Sequence, residues 1–499
     1  MSGEKRFMLE PNSAFQVRNS PLPFTEKLGY ATGQTLDSIV QHALGIFLLF
    51  YATSVCGVPG ALAGSALAAG LVVDAFLDPL IGTASDGWRS PWGRRLPFMA
   101  AALPLVAIFF ILIFSLPRGL APTVLFLWLT MLSIALRISL SLFILPYQAV
   151  GAELSDDYAE RSSIAAWRWG IGMIGTVGAV LLGFGYFFAG PGGLSNRDAY
   201  PPFAISLSIV VIVFSLISMR AIRQGLPRLH APAVTDKGAH RRVFVELAEV
   251  LRNRTFRILL VGALLFFSGL GTNMALGLHA NTYFWKLTTA QIQGVTLAIF
   301  VGLVLGAPIA GPMLKLMEKR TVLLIGMAGL GVADFGPAAL RLFGLLPLNG
   351  SELAIFISVV KLIGGMLMAS AAIAFASMMA DAADEHEHLF SARREGLYFA
   401  GWAFASKAAT GLGTLVAGLV LQLIGFPSGM DAQGAATVRI PEHVANLLGA
   451  FYGPGAGLLY VGAILVTFLY ELDSRRHAAI LEELSVRRSK IGEAKAIPA

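Results

Sequence analysis

One cysteine, Cys56, occurs in 499 residues, which rules out an internal disulfide framework. Charge is scarce as well: Asp, Glu, Lys and Arg make up 13% of the chain, about half the share of an ordinary soluble domain. No Cys/His cluster has zinc spacing, no glycine-rich phosphate loop is present, and no nucleophile motif stands out, so an enzyme is not expected. The first 23 residues are polar and lack an apolar core, which argues against a cleavable signal peptide.

What fills the chain instead is apolar sequence, 56% of all residues, gathered in long blocks. A bilayer takes about 20 apolar residues to cross as a helix. We read twelve such spans, all helical, because lipid leaves the backbone no other partner outside a barrel. Their approximate limits are 28–54, 60–85, 97–116, 121–147, 164–189 and 202–221, then 256–280, 290–313, 321–342, 352–380, 397–424 and 447–470. The expected organisation is a polar N-terminus (1–27), a six-helix bundle (28–221), a polar Arg-rich linker (222–255), a second six-helix bundle (256–470) and a tail (471–499) that starts as a short amphipathic helix. The fold class is therefore an all-α polytopic membrane protein.

The net charge of +7 suggests nucleic acid at first sight, but its distribution does not. Basic residues crowd the N-terminus, the linker, the tail and the loops on one side, which by the positive-inside rule makes both termini cytoplasmic. Localisation in the inner membrane and no nucleic-acid partner are expected. The halves echo one another. Span four leaves through Glu153, Asp156 and Asp157 toward Glu160-Arg161, and span ten through Asp381, Asp384 and Glu385 toward Arg393-Arg394-Glu395. A parallel repeat of six-helix halves is a transporter signature, with the site between halves.

Ionisable residues inside spans are costly and by default functional. Four are acids (Asp37, Asp74, Asp78, Asp334) and four are bases (Arg137, Arg168, Lys361, Lys407). Asp74 and Asp78, four residues apart, share a helix face. Two acids that close must take a proton, hold a cation or bond neighbouring helices. Gln34, Asp37, Ser38 and Gln41 form one polar stripe, suited to a hydroxyl-rich ligand or to interhelical bonding. Arg137 and Ser141 share a face one turn apart; a membrane hydroxyl usually bonds its own preceding turn. Arg168 and Lys407 either neutralise the acids or hold a polar substrate group, and Trp402 either stacks on a sugar or packs. Asp334 and Lys361 are expected to be a structural pair. His42 and His279 are expected to be hydrogen-bonded.

The run Asp74-xxx-Asp78-Pro-xx-Gly82-xxx-Asp86, followed by Trp92-Gly93-Arg94-Arg95-xx-Pro97, resembles the glycoside–pentoside–hexuronide:cation symporters, melibiose permease-like members of the major facilitator superfamily. Pro146-Tyr147, Glu160-Arg161, Arg393 to Gly396 and Lys407 are similar to later landmarks of that family. The resemblance implies a sugar or glycoside symporter working by alternating access, with Na+ or H+ as coupling ion and no other cofactor. It assigns Asp74, Asp78 and Ser141 to the cation (a metal site if sodium is the ion), and Arg168 and Lys407 to the sugar cavity. It assigns Asp86, Gly93, Arg94, Arg95, Arg161, Arg393 and Arg394 to the gate. Gln34, Asp37, Gln41, Arg137 and Trp402 complete the candidate substrate contacts. Two departures set the chain apart from a galactoside site: Ile144 replaces a sugar-holding carboxylate, and the span-one acid comes one position early. Arg137 is extra, which suits an anionic substrate such as a uronide. Sodium-dependent lysophospholipid transporters are similar in the same motifs. A monomer in contact with membrane lipid is expected.

Overall fold

A bilayer offers backbone N–H and C=O groups no partner, so a chain this apolar must close its hydrogen bonds within helices. The computed structural model describes residues 21–155, 157–224, 249–390, 395–427 and 440–496, and among them no strand occurs. Eleven of the described helices are long and apolar enough to cross a membrane. The first expected span is the exception, because it is not one continuous helix. It runs as α1 (Phe24–Ala31), a turn at Thr32-Gly33, and α2 (Gln34–Ala43), then widens into π turns at Leu44–Leu48 and Tyr51–Val55. With this composite element the expected count of twelve is met.

The chain divides into two compact units. The first comprises residues 1–51 and 73–235. It holds α1, α2, the second part of α3 (Gly60–Gly87), α4 (Leu96–Ile113), α5 (Pro122–Glu153), α6 (Tyr158–Leu182) and α7 (Tyr200–Gln224). Within it the ring of Tyr30 stacks on that of Tyr147, centroids 4.7 Å apart. Each hydroxyl of this pair donates to the other's main chain, Tyr30 to the Tyr147 carbonyl at 3.0 Å and Tyr147 to the Tyr30 carbonyl at 3.1 Å. The Pro146-Tyr147 landmark thus ties α5 to α1.

The second unit comprises residues 52–72 and 236–499, so the opening of α3 groups with the C-terminal sequence rather than with its own half. The reason is a glycine contact. A Cβ at Gly60 would stand 2.6 Å from the Gly418 carbonyl oxygen, and one at Gly64 would stand 2.8 Å from Gly418 Cα. Glycines four apart let two membrane helices touch backbone to backbone. This unit continues with α8 (Arg254–His279), α9 (Thr289–Leu316), α10 (Lys319–Leu342), α11 (Gly350–Phe390), α12 (Glu395–Leu423), α13 (Glu442–Ala450), α14 (Ala456–Thr467) and α15 (Ser474–Ala496). The linker between the expected bundles lies largely outside the described residues.

Asp334 and Lys361 pair directly, as expected, and both are buried. Tyr460 donates its hydroxyl to the other Asp334 oxygen at 3.1 Å, and the Lys361 ammonium lies 5.4 Å from the Tyr452 ring centroid. The pair therefore fastens α10, α11 and α14 together. His279 Nε2 stands 2.9 Å from Thr53 Oγ1, and His42 Nδ1 stands 2.7 Å from the Ser38 carbonyl. The tail is helical: α15 buries Ile480 and Leu484, while Arg476 pairs with Glu385 at 3.1 Å and His477 with Asp384 at 3.2 Å.

Candidate functional site

The acid pair lies on α3 within the first unit, and α5 brings Ser141 to it. Asp74 is 2% exposed and Ser141 4%. Ser141 Oγ touches Asp74 Oδ1, and lies 2.7 Å from Asp78 Oδ1. Sequence reasoning from the hydroxyl alone favoured a bond to its own helix. The fold instead turns that hydroxyl across to α3, where its two acceptors are one turn apart.

One turn earlier on α5, Arg137 is buried and donates through Nη1 to Gln41 Oε1 at 2.6 Å. It lies within electrostatic reach of Asp74, Asp37 and Asp78. On α2 the stripe residues Gln34, Asp37, Ser38 and Gln41 are half-buried, whereas Leu36, Ile39, Val40 and Ala43 on the other face are buried. Gln34 Nε2 donates to Asp37 Oδ2 at 2.9 Å. Three helices of one unit thus gather three carboxylates, a guanidinium, two amides and two hydroxyls.

Arg168 on α6 lies within electrostatic reach of the Tyr30 hydroxyl. Lys407 and Trp402 belong to α12 in the second unit, both half-buried. Trp402 lines an apolar cavity with Phe266, Phe375 and Met368. No group of three or more His, Cys, Asp or Glu placed to hold a metal ion occurs among the described residues.

The loop after α3 forms a compact ion cluster. Gly93 takes a φ of +82°, a conformation open to glycine. Its carbonyl accepts from Ser90 Oγ at 2.6 Å. The turn delivers Arg94 and Arg95 to one oxygen of Glu153, at 2.5 and 2.7 Å, and Arg95 also reaches Asp86 at 2.9 Å. Burial pulls the Arg95 pKa below the ordinary arginine value, with Glu153 and Asp86 opposing that shift. Arg161 is exposed, and its neighbour Glu160 makes the ion pair, with Lys27 at 3.0 Å. Arg393 and Arg394 lie outside the described residues.

Glu153 was absent from the candidate gate residues, although the echo between the halves had marked it. The second unit repeats the device. Lys319, the first residue of α10, pairs with Asp381 near the end of α11 at 2.6 Å.

Comparison with known proteins follows the same lines. The family model for MFS/sugar transport protein matches residues 29–474. The uncharacterized symporter sll1374 of Synechocystis sp. is 32% identical over 207 residues, which is 40% of this chain and 37% of that protein. The glucuronide carrier protein homolog of Escherichia coli (strain K12) is 24% identical over 479 residues, covering 94% of this chain and 97% of that one. The structure of a bacterial homolog to the human lysosomal transporter Spinster, inward-facing and unoccupied, superposes with a TM-score of 0.60 at 13% identity, over 92% of this chain and 98% of that one. That likeness concerns the fold alone. With its apolar helices and a match over most of its length, the chain belongs to the MFS/sugar transport protein family, a family of membrane transporters and not of enzymes.

Proposed function

We propose that this chain is a cation-coupled symporter of a sugar or glycoside, with an anionic sugar such as a uronide as the favoured cargo. The observation that carries the coupling is the Ser141 hydroxyl between Asp74 and Asp78. A hydroxyl holds one hydrogen and can give it to one acceptor. The second contact needs one more positive charge, either a proton on one of the acids or a small cation that draws the oxygens slightly apart. In low dielectric the two neighbouring carboxylates repel one another, and Arg137 offsets part of that repulsion. Arrival of H+ or Na+ relieves that penalty and organises the neighbouring stripe.

Arg137 supports the anionic cargo. It is a buried, permanently charged fork beside the stripe of Gln34, Asp37 and Gln41. Amides and carboxylates on that stripe suit sugar hydroxyls, and a guanidinium suits a carboxylate. Lys407 and Arg168 are assigned supporting roles in the cavity. The ion clusters around Glu153 and Asp381 are assigned to the cytoplasmic gates, with both termini cytoplasmic and the monomer as the working unit. Alternating access then follows from rocking of two repeats about the site, with cation and sugar each raising the other's affinity.

The test is uptake by the purified chain in proteoliposomes from a panel of labelled glycosides, uronides and lysolipids. It is run with and without a sodium gradient at fixed pH, then with a pH gradient lacking sodium. Uphill accumulation of a glycoside or uronide under one gradient is the expected result. Asp74→Asn and Asp78→Asn should abolish it while leaving the protein inserted. Normal accumulation in both variants refutes the coupling role.

A further inference from the structure

Helix α5 carries two polar groups one turn apart, and they serve different neighbours. Ser141 reaches α3, where its Oγ touches Asp74 Oδ1 and lies 2.7 Å from Asp78 Oδ1. Arg137, about 6 Å earlier along the helix axis, reaches α2, where its Nη1 donates to Gln41 Oε1 at 2.6 Å. Both side chains are buried, and all of these residues belong to the first unit. A guanidinium that served only as counter-ion to the acid pair would be aimed at that pair. This one bonds an amide of the polar stripe, yet Asp74, Asp37 and Asp78 all act on it through space.

Burial decides how much this matters. Two unit charges about 6 Å apart interact weakly in water and several times more strongly away from it. Arg137 is permanently charged and has no acceptor, only a planar fork of five N–H groups, of which Gln41 takes one. Such a fork matches a carboxylate through two parallel bonds. Three protein carboxylates already attract it, so a fourth, brought by the cargo, is weakly held while the others keep their full charge. A cation at Asp74 and Asp78 cancels part of that competing charge. The guanidinium is then released toward the stripe without any helix having to move.

We propose that Arg137 couples cation to cargo: the acid pair and the carboxylate of an anionic sugar share this one guanidinium, and the cation hands it from the first to the second. This rests on the symport reading of the same site. It goes beyond a preference for anions, because it makes the strength of coupling depend on cargo charge. A neutral glycoside on the stripe gains little from a released guanidinium, so the cation raises its affinity less. By reciprocity, a uronide strengthens cation binding more than its neutral partner does.

The experiment uses the full chain in nanodiscs and the ion that drives uptake. Calorimetry compares the matched methyl uronide and methyl glycoside of the glucose, galactose and mannose rings, with and without that ion. In the parent, the cation should raise uronide affinity at least about tenfold more than it raises that of the neutral partner. In Arg137→Gln this excess should fall to about threefold or less, the part left to direct attraction between cation and carboxylate. With no sugar present, the same variant should bind the cation about tenfold more tightly, because a positive charge beside the acids is gone. Arg137→Lys keeps the charge and should bind the cation as the parent does. The excess is a ratio within each protein, so partial loss of material cancels, and the parent measurement decides even where a variant fails to fold. Equal stimulation of uronide and neutral partner in the parent overturns the proposal and leaves symport standing. Binding of neutral glycosides alone does the same. Cation binding unchanged in sugar-free Arg137→Gln shows that the guanidinium is not felt by the acid pair, and also overturns it. If neither a sodium nor a proton gradient drives uptake of any glycoside or uronide, the symport reading fails and takes this assignment with it.

Discussion

Arg95 Nη2 stands 2.7 Å from Glu153 Oε1, which fastens the loop after α3 to the last residue of α5. Arg94 uses the same oxygen. Arg95 is 6% exposed, so losing Glu153 leaves a poorly solvated guanidinium with Asp86 as its remaining counter-charge. Glu153→Gln keeps the shape and removes the charge. It should cost about 2–3 kcal/mol, read as a lower apparent melting temperature, and Glu153→Asp should recover part of it. An unchanged melting temperature in Glu153→Gln shows the cluster to be dispensable for the fold.

Ser141 is the hinge of the cation reading. Ser141→Ala removes the hydroxyl that two carboxylates share and should weaken the half-saturating cation concentration about tenfold. Ser141→Thr, which keeps an oxygen in place, should stay close to the parent. Cation titration of the uptake rate distinguishes them. Equal behaviour of the two variants would take Ser141 out of the site.

Arg137 gives a prediction about cargo charge. Arg137→Gln retains a donor toward Gln41 but removes the positive charge beside Asp74, Asp37 and Asp78. Uptake of a uronide should fall at least about tenfold more than uptake of the matching neutral glycoside. A parallel loss for both would make Arg137 a counter-ion to the acids and nothing more.

The buried pair of the second unit tests a different principle. Lys361→Met strands Asp334 inside the bundle and should destabilise by about 3–5 kcal/mol. The double variant with Asp334→Asn should regain much of that loss, because Asn keeps a partner for the Tyr460 hydroxyl. Thermal melts of the two single variants and the double one close the cycle. Additive losses would mean that the two side chains do not interact.

The spans were legible because lipid allows so few solutions: long apolar blocks must be helices, and charges inside them stand out. The Asp74 and Asp78 couple was visible for that reason. The break in the first span was not, since the turn at Thr32-Gly33 and the π turns that follow keep the same apolar composition as a straight helix. Ser141 could not be placed from its own helix, because which way a hydroxyl turns depends on the helix opposite. Glu153 lay in plain view as an acid at a span end, but its hub position needed the loop at Gly93 to bring two arginines to it. Trp402 was read as sugar-stacking or packing; only side-chain packing reveals its apolar surroundings. The grouping of residues 52–72 with the second unit turns on Gly60 and Gly64 meeting Gly418, a long-range approach that no local pattern announces.

The docked helix α15 has a practical consequence for handling this protein. A truncation placed where the apolar spans stop, before Ser474, would strip the cover from the surface that Ile480 and Leu484 bury against and would deprive Glu385, itself 3% exposed, of Arg476. Affinity tags and fluorescent reporters therefore belong beyond Ala496, and a shortened product that purifies poorly would owe its behaviour to that lost cover, leaving the transport machinery unimpeached.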